Sequence, residues 1–213
     1  EDGKEILRII ESSPAKGKIE LLYTRRPDAY KSYMKEFGES RVFVSREKEQ
    51  VIASCAQLIR EVYIGGMPAL GAYLCGLKKD MSYGGHSGFD VDFIKSLDRE
   101  DIDFHYCSVL CDNKEAQTMF EKSSRFFKMN PIQTYTTYIL TPKLFPKVNK
   151  SNYTFRQAML GDEQTIIAFL NSEGRKKDLF PVIKSLDQFY NLGVNDFYLL
   201  EKNGKLVATA ALW

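Results

Sequence analysis

The sequence has two histidines, His86 and His105, and four cysteines with no Cys-x-x-Cys pair. Cys107 and Cys111 are close enough to share a metal, but neither histidine stands at a matching ligand spacing, so no metal is expected. Cys55, Cys75 and Cys107 sit in apolar, strand-like runs, where buried reduced thiols are expected. No apolar run reaches the length of a membrane span, and the first residues hold no apolar signal core. Charge of one sign is also lacking: 30 basic and 28 acidic residues leave a net charge of +2. A broad nucleic-acid footprint needs a basic face. DNA and membrane are therefore not expected as partners, and the reading is of a cytoplasmic protein. Short basic clusters at Arg25-Arg26, Lys78-Lys79 and Arg175 to Lys177 read as solvated surface. The chain begins without Met, which leads to the expectation of a removed upstream segment.

What is present is a hairpin written twice. Phe43-x-x-x-Glu47-Lys48 precedes the small apolar run Val51 to Ala56, and Phe197-x-x-x-Glu201-Lys202 precedes Leu206 to Ala211. The copies lie 154 residues apart at the Phe and Glu-Lys positions and 155 apart in the small apolar run. Two β-rich runs around a charged turn form a hairpin signal, and its recurrence points to a duplicated unit. The expectation is one domain over residues 1–147 and the incomplete opening of a second over 148–213.

Local patterns fill in the rest. Asp2 and Glu5 precede Ile6, Ile9 and Ile10, a capping pair before helical spacing. Ile19 to Tyr23 reads as a strand. Pro27 opens a helix with Tyr30, Tyr33, Met34 and Phe37 on one face, closed by Gly38. Arg41 to Arg46, Val51 to Tyr63 and Ala69 to Leu77 form an antiparallel meander turning at Lys48 and at Gly65-Gly66. A glycine-rich loop, Tyr83 to Gly88, leads into a helix over Phe89 to Leu97. Phe104 to Leu110 reads as a strand. Asp112-Asn113 caps a helix whose inner face is Ala116, Met119 and Phe120. A strand over Thr134 to Leu140 precedes a linker around Pro142 and Lys143 to Lys150. Tyr153 to Arg156 reads as a strand, Asp162 caps a helix carrying Ile166, Ile167, Phe169 and Leu170, and a further helix spans Val182 to Tyr190. Glu47 and Glu201, at turns, read as solvated.

Strand, glycine-rich loop, helix and strand in succession is a common phosphate-binding arrangement, because glycine admits close backbone approach and a helix N-terminus favours an anion. The loop has neither the Gly-Lys-Ser/Thr of a Walker motif nor Gly-x-Gly-x-x-Gly. The run Asn113-Lys114-Glu115-Ala116-Gln117-Thr118-Met119-Phe120-Glu121-Lys122 adds to it. This run resembles the Asn-x-x-Ala-x-x-x-Tyr-Glu-Lys signature of the GNAT N-acetyltransferase superfamily, and the element order matches over roughly residues 1–141. Gly71 to Leu77, Asp112-Asn113 and Tyr135 to Tyr138 resemble a bacterial branch with tandem units.

The resemblance implies a mixed α/β (α+β) fold: a twisted, mainly antiparallel sheet with helices on both faces, followed by the start of a second unit of the same kind. It implies acetyl-CoA as cosubstrate, lying between two strands that splay apart. The free strand edge would be Leu77, Lys78 and Lys79. The pyrophosphate would sit on Gly84, Gly85, His86, Ser87 and Gly88, and Asn113 would lie near the pantetheine arm. Direct acyl transfer to an amine needs a base for the amine and an acid for the departing thiolate. The family's tyrosine acid is replaced by Phe120, so catalytic residues are not assigned. Tyr73, Tyr83, His86 and His105 are the candidate substitutes. The leading expectation is an acyl-CoA-dependent N-acyltransferase acting on a small or amino-acid-like amine. The rivals are a non-catalytic CoA-binding or partner-organising unit, and an aminoacyl-tRNA-dependent transferase, which the near-neutral charge disfavours.

Overall fold

The computed structural model describes residues 2–12, 23–36, 38–84, 95–122, 129–136 and 152–211. Helix α1, Asp2–Ser12, has Asp2 and Glu5 in its first turn, where acidic groups complement the helix dipole. Its Ile6, Ile9 and Ile10 are all buried. Helix α2, Ala29–Tyr33, is capped by the Asp28 carboxylate, which accepts the Lys31 N–H at 2.9 Å. This helix is shorter than expected, and its inner face is different. Ala29 and Tyr33, four residues apart, point inward, whereas Tyr30 and Met34 are 46% and 47% exposed. Phe37 and Ile19 to Leu22 lie outside the described residues, and Tyr23 is irregular.

The expected meander is present. Strands β1 (Glu39–Glu47), β2 (Gln50–Ile64) and β3 (Met67–Lys79) pair antiparallel in that order. Gly65 and Gly66 take φ of 57° and 80°, which a two-residue turn between twisted strands requires. Strand β4, Phe104–Cys107, joins β3 in parallel, making the sheet mixed. It is shorter than the expected Phe104 to Leu110.

Helices cover both faces. Ile6 and Ile10 of α1 and Ala29 and Tyr33 of α2 pack on Ala56 and Leu58 of β2, with Val42, Val44, Tyr73 and Cys75 alongside. On the other face lies α3, residues 95–97. The wholly buried Gln57 donates to the Leu97 carbonyl at 2.7 Å, and Arg41 bridges the Gln57 carbonyl oxygen and the Ser96 carbonyl. Helix α4, Lys114–Lys122, follows Asn113 as expected. Ala116 and Phe120 are half-buried, but Met119 of its supposed inner face is 37% exposed. Residues 134–136 are not a strand, and 137–150 lie outside the described residues.

A second sheet, ordered β5-β6-β7, consists of Tyr153–Gln157, Phe197–Lys202 and Lys205–Ala211. Helix α5, Glu163–Gly174, covers one face through Ile166 and Ile167, packed with Ile183, Leu186, Phe197 and Leu199. The Asp162 carboxylate does not cap α5. It accepts from the Arg156 guanidinium and from the Met159 N–H. Arg156 also donates to Glu201, which is therefore an ion-pair partner rather than a solvated turn residue.

The two repeated hairpins share their register. Glu47 faces Gln50, Arg46 faces Val51 and Ser45 faces Ala53, with a bulge after the second pair. Lys202 faces Lys205, Glu201 faces Leu206 and Leu200 faces Ala208, with the bulge at the same place. Lys48 and Asn203 hold the same left-handed position, with φ of 53° and 52°. Both strands thus correspond at an offset of 155. The equivalent of Phe43 is Tyr198, one residue from the Phe197 that sequence similarity selects, because paired strands, not side-chain identity, fix the register.

The helix expected over Val182 to Tyr190 is not formed. Only Leu186–Gln188 makes a short 3-10 turn. Backbone pairing elsewhere accounts for the difference. β1 stops pairing at Ile59, leaving that side of β2 open, and the segment 179–182 fills it. The Leu179 N–H donates to the Tyr63 carbonyl, the Tyr63 N–H to the Phe180 carbonyl, and the Val182 N–H to the Glu61 carbonyl, at 2.8, 2.9 and 3.0 Å. Pro181, without an N–H, stands opposite Val62. Val62 and Tyr63 are consequently buried. Asn171 of α5 locks the junction: its carbonyl oxygen accepts from the Ile183 N–H and the Tyr63 hydroxyl, and its amide donates to the Ile183 carbonyl. Asn171→Ala should therefore lower unfolding free energy by about 1–3 kcal/mol, as for a half-buried group whose partners are orphaned, measured by urea unfolding. Removal of residues 148–213 should leave the first sheet with a markedly lower Tm.

Candidate functional site

The parallel ladder between β3 and β4 is four residues long. Gly71 faces Phe104, and the ladder ends where Leu74 faces Cys107. β3 continues through Cys75 to Lys79, still paired with β2 on its inner side. On its outer side these residues have no partner strand among the described residues. Residues 108–110, expected to extend β4, leave the sheet instead. The β3–β4 pairing thus ends at Leu74 and Cys107 while β3 runs on.

A bulge helps to produce the parting. Ala56 faces Cys75 but Ser54 faces Lys78, so Gly76 and Leu77 together oppose Cys55. Gly76 has φ of 60°, the left-handed conformation that glycine adopts at such a bulge. A Cβ there would stand 2.0 Å from the Tyr33 hydroxyl oxygen. Backbone conformation and the packing of α2 therefore both require glycine at this position.

The far end of β3 is anchored by Asp80. It is 3% exposed and accepts from Arg8 of α1 at 2.6 Å and from the N–H and hydroxyl of Ser82 at 2.9 and 2.6 Å. The Asp80 N–H returns to the Ile52 carbonyl. Hydrogen bonds from Ser82 and then Arg8 pull its carboxyl from 3.8 to about 2. An aspartate bonding two residues ahead forms a local turn, and this one launches the glycine-rich loop. The Tyr83 hydroxyl bonds Glu47, which is exposed at the first hairpin's turn, as expected. The Lys79 ammonium lies 5.6 Å from the Tyr83 ring centroid.

Leu77, Lys78 and Lys79 thus lie on the parted edge, with Leu77 37% exposed and the Lys78 ammonium pushed down by burial. Gly84 follows in open space, with nothing within 4 Å of a built Cβ. Gly85, His86, Ser87 and Gly88 lie outside the described residues. The Asn113 side chain accepts the Ala116 N–H at 3.1 Å, so it caps α4.

Among the acid candidates, His105 is on the opposite face from Tyr73, beside Gln57 and the Leu97 carbonyl at 3.1 Å each. His105 Nε2 accepts from the Gln57 amide in one tautomer and donates to the Leu97 carbonyl in the other. Tyr73 is half-buried beside the parting, one residue before Leu74, and its hydroxyl bonds Ser108, just beyond the end of β4. Burial raises its pKa, which keeps the proton on the phenol. The thiols of Cys55 and Cys75 are pushed up by burial to about 12 and about 11, so neither is a nucleophile near neutrality. No metal-binding group is found among the described residues. No described helix is long and apolar enough to cross a membrane.

Asp80 and Gly76 were not singled out in the sequence. Asp80-x-Ser82 directly after a strand was an available turn signal. The role of Gly76 depends on Tyr33, 43 residues away, and had no local signal.

No family model and no curated protein matches the chain. Solved structures do. A protein from Enterococcus faecalis V583, described as a conserved protein of unknown function and probable N-acyltransferase, aligns over 99% of this chain at 12% identity and TM-score 0.59. That alignment covers 52% of the Enterococcus protein, so this chain spans about half its length. A ribosomal-protein-alanine N-acetyltransferase from Brucella melitensis aligns over 66% of this chain and 92% of its own at 9% identity and TM-score 0.43. A Trypanosoma brucei acetyltransferase aligns over 64% and 93% at 14% identity and TM-score 0.41. The likeness to the Enterococcus protein shows the fold alone, a GNAT-like mixed sheet with covering helices.

Two measurements test this geometry. Gly76→Ala should destabilise the protein by at least about 1 kcal/mol from the backbone alone, with more from displacement of Tyr33, seen as a lower Tm. Because the folded Asp80 carboxyl titrates below its ordinary value, its stabilising contribution is complete above about pH 4 and is lost as pH falls through about 2. The gap in unfolding free energy between the parent and Asp80→Asn should therefore be widest near pH 6 and shrink as pH is lowered from 4 toward 2.5.

Proposed function

We propose that this chain is an acyl-CoA-dependent N-acyltransferase, with acetyl-CoA as the donor and a small or amino-acid-like amine as the acceptor. The observation that carries this reading is the parting of β3 from β4 after Leu74 and Cys107. A pantetheine arm has two amides at a spacing that strand edges accept, and the edge of β3 beyond the end of the β4 ladder, at Leu77, Lys78 and Lys79, would run alongside it. The Asp80 turn directs the chain into the loop of Gly84, Gly85, His86, Ser87 and Gly88, where backbone N–H groups would meet the pyrophosphate. Asn113, at the start of α4, would lie along the same arm. The thioester would then rest near the parting.

Acyl transfer there breaks the thioester carbon–sulfur bond and forms the amide carbon–nitrogen bond. The amine loses a proton to a base, and the thiolate gains one from an acid. Phe120 cannot serve as that acid. Tyr73 is the candidate substitute closest to the parting, and its link to Ser108 orients the hydroxyl.

The second reading is a non-catalytic CoA-binding or partner-organising unit, and the observation that favours it is Phe120 itself. Residues 148–213 would be the start of a second unit of the same fold, the reading supported by the shared hairpin register and by the Enterococcus protein, about twice this length. The transferase using aminoacyl-tRNA is disfavoured by a net charge of +2. The expected locale remains the cytoplasm.

Titration calorimetry of the whole chain with acetyl-CoA should give saturable heat that free CoA competes away. A folded sample with no heat overturns the reading. Phe120→Tyr should leave turnover unchanged or raise it by up to about 10²-fold, the scale of general acid assistance. Tyr73→Phe should lower kcat by a similar factor without weakening CoA. Inactivity of parent and Phe120→Tyr alike toward a panel of amines, with CoA still bound, selects the binding unit.

A further inference from the structure

Among the described residues, four buried side-chain nitrogens and oxygens in the first sheet and its α1–α2 face have no hydrogen-bond partner: Arg25 Nε, Ser54 Oγ, Arg60 Nε and the Tyr106 hydroxyl. Arg25 is otherwise engaged. It bonds Glu36 at 2.9 Å and Ser32 at 3.1 Å, and its guanidinium lies 3.9 Å from the Tyr33 ring centroid. Arg60 is different. It is half-buried in the middle of β2, and among the described residues its guanidinium has no hydrogen bond, ion pair or ring contact. A buried N–H without an acceptor is costly, and native structures rarely hold one without reason.

Arg60 and Tyr106 belong to one place. Arg60 faces Gly71 across the β2–β3 pair, and the alternation from Leu58 puts its side chain on the face covered by α1 and α2. Tyr106 lies beside Tyr73 in β4 and shares that face, with ring centroids 5.1 Å apart. A Cβ on Gly71 would stand 3.1 Å from the Tyr106 ring and 2.8 Å from Phe104. The Phe104 and Tyr106 rings therefore lie over Gly71, the strand position that faces Arg60. Arg25, Glu36 and Arg60 all act electrostatically on the Cys75 thiol of the same face. The Arg25–Glu36 pair is internally neutral, and Arg60 supplies the unmatched positive charge.

We infer that Arg60 and Tyr106, converging over Gly71, form an anion subsite that takes the carboxylate of the amine acceptor. The two donors suit a planar oxyanion: a guanidinium pairs with a carboxylate through charge-assisted bonds, and a phenol O–H donates one more. The subsite lies on the paired side of the parting, away from the loop that would hold the pyrophosphate, so acceptor and donor enter from opposite ends. Gly71 is three strand residues from Leu74, roughly 10 Å at strand rise. An acceptor that reaches both places carries its amine several bonds from its carboxylate. The identity of the carboxylate bearer as acceptor rests on the acyltransfer reading; the anion subsite itself does not.

The test uses the full chain with saturating CoA and two probes, 6-aminohexanoate and its uncharged amide, 6-aminohexanamide. Calorimetry should show binding of the acid and none of the amide. Arg60→Gln should weaken the acid by at least about 10-fold, the scale of a charge-assisted bond. Arg60→Lys should recover part of that loss, and Tyr106→Phe should weaken binding a few-fold. Arg60→Gln should also hold or raise Tm without probe, since it removes an unsatisfied charge; if it fails to fold, Arg60→Lys and Tyr106→Phe carry the measurement. Equal binding of acid and amide, binding of neither, or an Arg60→Gln protein that binds the acid as the parent does would overturn the subsite. Binding of the acid with Arg60 dependence but no binding of CoA would instead sink the acyltransfer reading and leave the subsite standing.

Discussion

A strand that keeps one neighbour and loses the other must offer its main-chain groups to something else. Among the described residues the outer edge of β3 beyond Leu74 has no partner strand, and the site depends on it. The parting is built in rather than incidental. A left-handed Gly76 bulges the strand, and the Tyr33 hydroxyl occupies the space where any other residue would place its Cβ. Asp80 then fixes where the strand ends, with Arg8 on one side and Ser82 on the other. Helices α1 and α2 therefore do more than cover a core. Each contributes one side chain that shapes the edge.

The opposite requirement governs β2. Its free side past Ile59 is an exposed sheet edge, and a long unpaired edge invites pairing with other chains. The segment 179–182 occupies it through three backbone hydrogen bonds, and Asn171 satisfies the ends. The second sheet is thus joined to the first by strand pairing and not merely by a linker. Two sheets with the same hairpin register and bulge, joined in this way, divide the labour. One carries the parted edge, and the other closes the first sheet's exposed side.

Polar groups follow the same logic of satisfaction. Gln57, wholly buried, bonds to Arg41, Leu97 and His105, and Arg156 is matched by Asp162 and Glu201. Against that background the buried Arg60 Nε and Tyr106 hydroxyl, without partners among the described residues, stand out. Residues that cost stability without local compensation concentrate at functional sites, where a ligand supplies the missing partner.

The sequence by itself determined the elements whose signals are local. Helical spacing of Ile6, Ile9 and Ile10, the turn at Gly65-Gly66, the capping Asn113 and the alternating apolar runs of the meander all follow from nearest-neighbour chemistry. The parted edge at Leu77 to Lys79 was legible only through its resemblance to a family, because nothing in a strand's own residues says which neighbour it will lose. Tertiary structure decided the remainder. It turned Val182 to Tyr190 away from helix, since β2 had an open edge to fill and backbone pairing outweighs weak helical propensity. It moved the hairpin correspondence from Phe197 to Tyr198, since register is set between strands. It also set Gly76 against Tyr33 and Arg60 beside Tyr106, pairs separated by 43 and 46 positions in the sequence. Contacts of that range carry no local pattern, and they arise only when the sheet brings distant strands and helices side by side.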